Sequence, residues 1–135
     1  NFLALIPDFE TSTEEARKVM PENIKLQDAI YSLSRLGSVI KAFETYDLTL
    51  LKKVMGDKIH EPYRKVIIHE YEEVKNICES IDSAAFFISG SGSTLMNIVA
   101  DENNIEKIKT ELAKLKYKWQ PILLKVDTKG TLVID

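Results

Sequence analysis

Two hydrophobic periods divide this chain, and the change between them constrains the fold more than any other feature. In residues 25–46 apolar side chains recur at spacings of three and four, which is typical of one face of an amphipathic helix. From residue 84 onward, short apolar runs are separated by small residues, which predicts strands. The helical stripe consists of Leu26, Ile30, Leu33, Gly37, Ile40 and Phe43. Because glycine costs about 1 kcal/mol in a helix interior, we expect another element to cross closely at Gly37.

The remaining elements follow from local start and stop signals. Ser12 and Glu15 have the spacing of a capping box, so a short helix should begin there and run to about Met20. Pro62 suits the first turn of a helix that reaches about Ser80. The other predicted elements are a strand at 2–7, a helix from 47 to about 59, strands at 84–88 and 95–99, a helix at 103–116, a strand at 121–126, a turn at 128–130 and a final strand at 131–134.

This order of elements predicts an α+β fold, namely a ferredoxin-like plait with a mainly antiparallel sheet, packed helices and a helical insertion. We expect residues 1–135 to form one domain. The first residue, Asn1, is not a methionine, and the buried strand that follows it needs partners for its hydrogen bonds and its apolar faces. We therefore expect the chain to be a fragment of a longer protein.

Composition excludes several classes of function. The net charge of −3 leaves no basic stripe for nucleic acid, so we expect no nucleic-acid partner. Apolar runs stay well below the roughly 18 residues of a membrane span, so we expect no membrane partner, and we also expect no signal peptide. The one cysteine, Cys78, cannot form an internal disulfide or a zinc cluster, which favours a reducing cytoplasm.

A loop of small residues, Ser89, Gly90, Ser91, Gly92 and Ser93, is the first segment that could carry chemistry. Glycines let backbone N–H groups approach a ligand, and successive N–H groups can bind an anion. The segment lacks the lysine of a phosphate-binding Walker loop, and a strand follows it where a dinucleotide-binding turn would have a helix. A plain hairpin turn is an equal alternative, although such a turn needs fewer small residues.

Two further segments carry arginines. The first is the segment 60–64, which begins with His60 and ends with Arg64. Arg64 could bind a carboxylate or phosphate with two hydrogen bonds. Alternatively, it could pair with Glu61 on the helix surface. His60 reads as an isolated imidazole, since a proton shuttle would need a partner that the sequence does not identify.

The other arginine segment opens the first helix. If Ser12 is occupied as the cap, Thr13 has a free hydroxyl at the helix start, and Arg17 lies four positions on, on the same helix face. The alternative is a solvated cap with a surface pair between Glu14 and Arg17. The chain contains no paired carboxylates, no Ser/His/Asp arrangement and no metal-spaced cluster, so we expect no catalytic residue and no metal site in it.

Together these segments resemble the homoserine kinases of the GHMP kinase family along nearly the whole chain. The small-residue loop is shared across GHMP kinases, whereas the Ser12–Arg17 and Glu61–Arg64 segments narrow the similarity to the homoserine branch. The resemblance implies transfer of the γ-phosphoryl group of ATP to the hydroxyl of L-homoserine, giving O-phospho-L-homoserine for threonine biosynthesis. It also implies an N-terminal domain, absent from this chain, that holds most of the ATP site and the Mg²⁺ ligand.

The resemblance assigns roles to four residues. Arg17 and Arg64 would bind the homoserine carboxylate, Thr13 would orient the amino acid, and Gly90 would let the loop backbone approach the substrate and brace the phosphate loop of the other domain. The family usually has proline where this chain has Ser93, and its loss loosens the turn by about 0.4–1 kcal/mol through unfolded-state entropy.

Two other functions stay open. The chain could belong to another GHMP small-molecule kinase, or it could be a stand-alone module that binds an amino acid as a regulatory sensor. If a second domain is missing, apolar surface should be exposed where that domain docked, and we expect self-association such as a homodimer.

Overall fold

The computed structural model describes residues 1–131, which form six α-helices and one sheet of four strands. The strands are β1 (Phe2–Pro7), β2 (Ala85–Ile88), β3 (Leu95–Ile98) and β4 (Trp119–Leu124). The helices are α1 (Thr13–Lys18), α2 (Leu26–Glu44), α3 (Leu48–Val54), α4 (Glu61–Arg64), α5 (Tyr71–Ile81) and α6 (Ile105–Leu112), with short 3₁₀ turns at Lys65–Ile67 and Glu102–Asn104. The predicted α+β class is confirmed. Residues 132–135, which hold most of the predicted final strand, lie outside the described part.

The sheet is antiparallel throughout and has the spatial order β2-β3-β1-β4. β1 is a central strand, where Leu3 lies opposite Asn97 on β3 and Leu123 on β4. Along the chain, a strand is followed by helices, two strands, a helix and a last strand. This is the ferredoxin-like β-α-β-β-α-β arrangement, with additional helices inserted between β1 and β2.

The main core lies on the sheet face that α5 and α6 cover. Leu3 and Leu5 of β1 are fully buried there, in contact with a cluster that includes Val74 of α5 and Ile108 of α6. A smaller cluster on the opposite face contains Ala42 of α2, Leu51 of α3 and sheet residues. Successive side chains of β1 point to opposite faces of the sheet and therefore contribute to both clusters, as expected for a strand with helices on each side.

The prediction of a close crossing at Gly37 is wrong. A side-chain carbon added at Gly37 would meet nothing within 4 Å. α2 packs mainly on α3 through the side of the helix that carries Ala42, and that side is opposite to the apolar stripe. The stripe therefore faces solvent, because the sequence pattern identifies an apolar face without identifying what covers it.

The helix predicted from Pro62 to Ser80 is divided in the structure. Glu70 has a φ of 57°, a left-handed conformation that interrupts the helix between the turn after α4 and the start of α5. Its carboxylate accepts hydrogen bonds from the N–H groups of Lys116 and Tyr117, and from the Trp119 indole. These partners lie far along the chain, so a tertiary contact fixes the break.

Other boundaries differ by a few residues. The capping box at the start of α1 is confirmed, with Ser12 accepting from the N–H of Glu15 and the Glu15 side chain accepting from Ser12. α1 ends at Lys18 and α6 at Leu112, earlier than predicted. In residues 1–131, no helix combines the length and the apolar character that crossing a bilayer requires.

Candidate functional site

Three contacts bring the segments singled out in the sequence into one region. Arg64 Nη1 donates a hydrogen bond to the Gly90 carbonyl at 2.8 Å, which joins α4 to the small-residue loop. The Ser93 hydroxyl donates to the Phe9 carbonyl at 2.9 Å, which joins the same loop to the segment before α1. The Thr11 hydroxyl lies 3.5 Å from the Ile67 carbonyl, a longer contact between the start of α1 and the turn after α4.

The loop between β2 and β3 is a tight connection with two glycines in the left-handed region. Gly90 has a φ of 59° and Gly92 a φ of 92°. A side-chain carbon at Gly92 would lie 2.9 Å from Ile68 Cδ1, whereas one at Gly90 would meet nothing within 4 Å. Gly92 therefore allows the loop to pack on the turn after α4, and the space in front of Gly90 is open to a ligand.

Arg64 lies half-buried beside a cavity of about 230 Å³. The cavity is lined by Asp57, His60, Glu61, Arg64, Phe87, Ile88 and Gly90. The Nε atom of Arg64 is buried and has no hydrogen-bond partner. A guanidinium carries five N–H donors in a planar fork, and the contact with Gly90 uses one of them. The group is thus held in place with donors left for an anion.

Glu61 does not pair with Arg64, which was the alternative for this arginine. The Tyr71 hydroxyl donates to Glu61 Oε1 at 2.6 Å, and Lys75 Nζ lies 3.4 Å from the same oxygen. Burial raises the pKa of Tyr71, and the hydrogen bond to Glu61 raises that pKa further. The phenol therefore stays protonated and holds α4 against α5.

Asp57 holds the start of α4 through the backbone. Its carboxylate accepts backbone hydrogen bonds of 2.7–2.8 Å from Ile59, His60 and Glu61. Burial by itself would raise the pKa of Asp57, but these three N–H groups, with a smaller effect of His60, lower it below its ordinary value. His60 is exposed, and its Nδ1 lies 3.7 Å from Asp57 Oδ2, which is too long for a hydrogen bond.

Thr13 and Arg17 lie on α1, and both are exposed. Neither of them lines the cavity beside Arg64. The alternative prediction was a surface ion pair between Glu14 and Arg17. In the structure Glu14 pairs with Lys18 instead, at 2.7 Å. The shared binding of a carboxylate by Arg17 and Arg64 stays a prediction.

Sequence reasoning missed two structural features of this region. Asp57 was not singled out, although an aspartate shortly before a proline-containing helix start is a capping signal. Ser93 was named as a loop residue and for the missing proline, but its bond to Phe9 was not foreseen because it depends on the tertiary fold. Among residues 1–131, no group of three or more His, Cys, Asp or Glu side chains is placed to hold a metal ion.

Known proteins resemble this chain along nearly its whole length. A family model described as the C-terminal region of GHMP kinases matches residues 39–118. Homoserine kinase from Clostridium botulinum is 40% identical over 134 residues, which cover 98% of this chain and 45% of that protein. Homoserine kinase from Clostridium acetobutylicum is 37% identical over 135 residues, which cover 98% of this chain and 46% of that protein. The chain therefore spans less than half the length of these relatives.

The fold is shared with a solved structure. The crystal structure of homoserine kinase from Cytophaga hutchinsonii superposes with a TM-score of 0.82 at 23% identity, covering 90% of this chain and 40% of that one. The family match spans more than half of the chain and includes α4, the Gly90 loop and the Arg64 contact. This chain belongs to the GHMP kinase family and corresponds to its C-terminal region.

Proposed function

We propose that this chain is the C-terminal part of a homoserine kinase, which transfers the γ-phosphoryl group of ATP to the side-chain hydroxyl of L-homoserine. One observation carries the proposal: Arg64 is fixed on the Gly90 carbonyl while its buried Nε has no partner, beside a cavity of about 230 Å³. That volume suits a small amino acid, and the guanidinium suits the carboxylate of one. Support also comes from relatives at 37–40% identity that are homoserine kinases.

The chemistry asks the protein mainly for positioning. Phosphoryl transfer depends on holding the acceptor hydroxyl in line with the phosphate and on stabilising the charge of the transferred group. In the proposed complex Arg64 binds the substrate carboxylate from the α4 side. Arg17 binds it from α1, and the Thr13 hydroxyl orients the same amino acid. The hydroxyl end of homoserine then points away from this domain, toward the nucleotide.

ATP and Mg²⁺ belong to the proposal as substrates and cofactor of the intact enzyme. Among residues 1–131, no set of three or more acidic, histidine or cysteine side chains is placed to hold a metal ion. We assign the metal ligands and most of the ATP site to an N-terminal domain that lies outside this chain. The role left to the Ser89–Ser93 loop is to brace the phosphate-binding loop of that domain.

The proposed compartment is the cytoplasm. Cys78 is fully buried, and burial, together with Glu79, raises its pKa to about 12, so it is an inert thiol that needs no oxidising environment. A homodimer of the intact enzyme stays a prediction.

The proposal is tested by measuring phosphate transfer with ATP and Mg²⁺, using the complete gene product and residues 1–135 in parallel. The complete protein should phosphorylate L-homoserine in preference to mevalonate, an acceptor of the other GHMP branch that lacks an amino group. Residues 1–135 alone should show no turnover. Turnover of homoserine by residues 1–135 would refute the division of the site, and a preference for mevalonate would refute the substrate.

A further inference from the structure

α2 exposes its apolar face to solvent, and the proposed site does not use this surface. The exposed fractions are 75% for Leu26, 56% for Ile30, 66% for Leu33, 58% for Leu36, 51% for Ile40 and 42% for Phe43. The opposite side of the helix, which faces the domain, carries polar groups such as Arg35, whose guanidinium stacks on Tyr31. A soluble surface helix normally shows the reverse arrangement.

The exposed face of α2 continues into an apolar groove. Phe43 belongs to both, since it also lines a groove of about 560 Å³ between the end of α2 and the sheet. Phe2, Tyr46, Leu48 and Leu124 line the same groove. Phe2 and Phe43 stack with ring centroids 6.4 Å apart, so two packed aromatic rings form part of the groove surface. A contiguous apolar surface of this kind marks a docking site.

Asn1 lies at the rim of this groove. Its carbonyl accepts a hydrogen bond from the Val99 N–H, so the first residue is fixed in the sheet. The matched family model is the C-terminal region of GHMP kinases, and more than half of each relative lies outside the match. In a relative, the polypeptide that precedes this region would therefore reach it at the groove.

We propose that the α2 stripe and the adjoining groove bind the N-terminal part of the intact kinase, through an apolar surface of that part. This inference shares one assumption with the proposed function, namely that the intact protein is longer than this chain, as its relatives are. The docking would set the distance between the Arg64 region and the nucleotide, because α2 leads through α3 to Asp57, which holds the start of α4. A second copy of this chain is the competing occupant.

Thiol labelling tests the proposal, because the rate of modification reports access to the sulfur. Leu33→Cys and Ile40→Cys place probes on the stripe, while Ser34→Cys and Gln27→Cys place matched probes on exposed positions at the polar edge of the same helix. Cys78 contributes little background, since it is fully buried. Each variant is labelled in residues 1–135 and in the complete gene product.

We expect labelling at Leu33→Cys and Ile40→Cys to be slower in the complete protein by on the order of tenfold or more, with Ser34→Cys and Gln27→Cys unchanged. Equal rates in both proteins would overturn the proposal. Protection that appears in residues 1–135 alone and grows with protein concentration would also overturn it, in favour of a second copy. The readout needs no substrate, so a complete protein that fails to phosphorylate homoserine but protects these probes refutes the proposed function and leaves the docking intact.

Discussion

Arg64 donates from Nη1 to the carbonyl oxygen of Gly90 at 2.8 Å, across 26 residues of sequence. This bond fixes the guanidinium on Gly90, the loop glycine that, unlike Gly92, has open space in front of it. Asp57 and Tyr71 both hold Glu61, the first residue of the helix that carries Arg64: Asp57 accepts from its backbone N–H, and Tyr71 donates to its carboxylate. The arginine is therefore held in position from three directions before any substrate arrives, which reduces the entropy lost on binding.

Arg64→Lys in the intact kinase keeps the charge but removes the planar fork. We expect kcat/KM for homoserine to fall by about 30- to 1000-fold, equivalent to about 2–4 kcal/mol, mainly through a higher KM. Steady-state kinetics with homoserine as the varied substrate measure this loss. Lys65→Ala is the matched control, because Lys65 pairs with Glu72 away from the cavity. An unchanged KM in Arg64→Lys would remove this residue from the binding site.

Glu70→Ala should destabilise the domain by about 2–3 kcal/mol, because three donors just before and at the start of β4 lose one charged acceptor. The donors are the N–H groups of Lys116 and Tyr117 and the indole N–H of Trp119. Urea unfolding measures the loss, and the fluorescence of Trp119, the one tryptophan of the chain, should change in the folded state. Glu73→Ala, on the exposed side of α5, is the control. A loss no larger than in the control would mean that Glu70 does not anchor β4.

The sequence predicted those helices and strands that are determined by residues close together in the chain. The first strand was predicted at residues 2–7, where the structure has it, and the capping box of Ser12 and Glu15 was recognised because both partners lie within four residues. The break at Glu70 was missed because its partners lie 46–49 residues away. The exposure of the α2 stripe could not be foreseen either, since the period of a helix does not specify its neighbour.

In the candidate site, the residue types were likewise recognised from the sequence, but the contacts between them were not. Arginine and glycine are residue types that point to anion binding, so Arg64 and Gly90 could be singled out from the sequence. The bond between them requires β2 and α4 to be neighbours, which only the fold provides. The same reason explains why the contact between Ser93 and Phe9 was not anticipated, although Ser93 was recognised as unusual.

Asp57→Asn should change how stability depends on pH. The pKa of Asp57 is lowered in the folded state by three backbone hydrogen bonds, which outweigh the effect of burial. Its contribution is therefore complete above the unfolded-state pKa of about 4 and is lost as pH falls through the lower folded-state pKa. The free energy of unfolding of the wild type should exceed that of Asp57→Asn at pH 7, and the difference should shrink below about pH 4.

Urea unfolding between pH 2 and pH 7, in steps of about half a unit, measures this effect. Glu14→Gln, which affects an exposed surface pair with Lys18, serves as the control and should leave the curve nearly unchanged. Asp82 also has a lowered pKa, because hydrogen bonds from Ala100, Asp101 and Asn104 outweigh its burial, so some acid sensitivity should persist in Asp57→Asn. Parallel curves for wild type and Asp57→Asn would contradict the assignment.

Ser93→Ala tests whether the residue that stands in place of the usual proline holds the loop through its hydroxyl. Ser93 is 9% exposed, and its hydroxyl donates to the Phe9 carbonyl at 2.9 Å, so the substitution leaves the carbonyl of the half-buried Phe9 without this donor. We expect a loss of about 1 kcal/mol in the free energy of unfolding and faster amide exchange at Ser91 and Gly92. Ser91→Ala is the control in the same loop. If both variants unfold alike and exchange alike, the loop is held by its backbone bonds alone, such as the one from Gly92 N–H to Ser89.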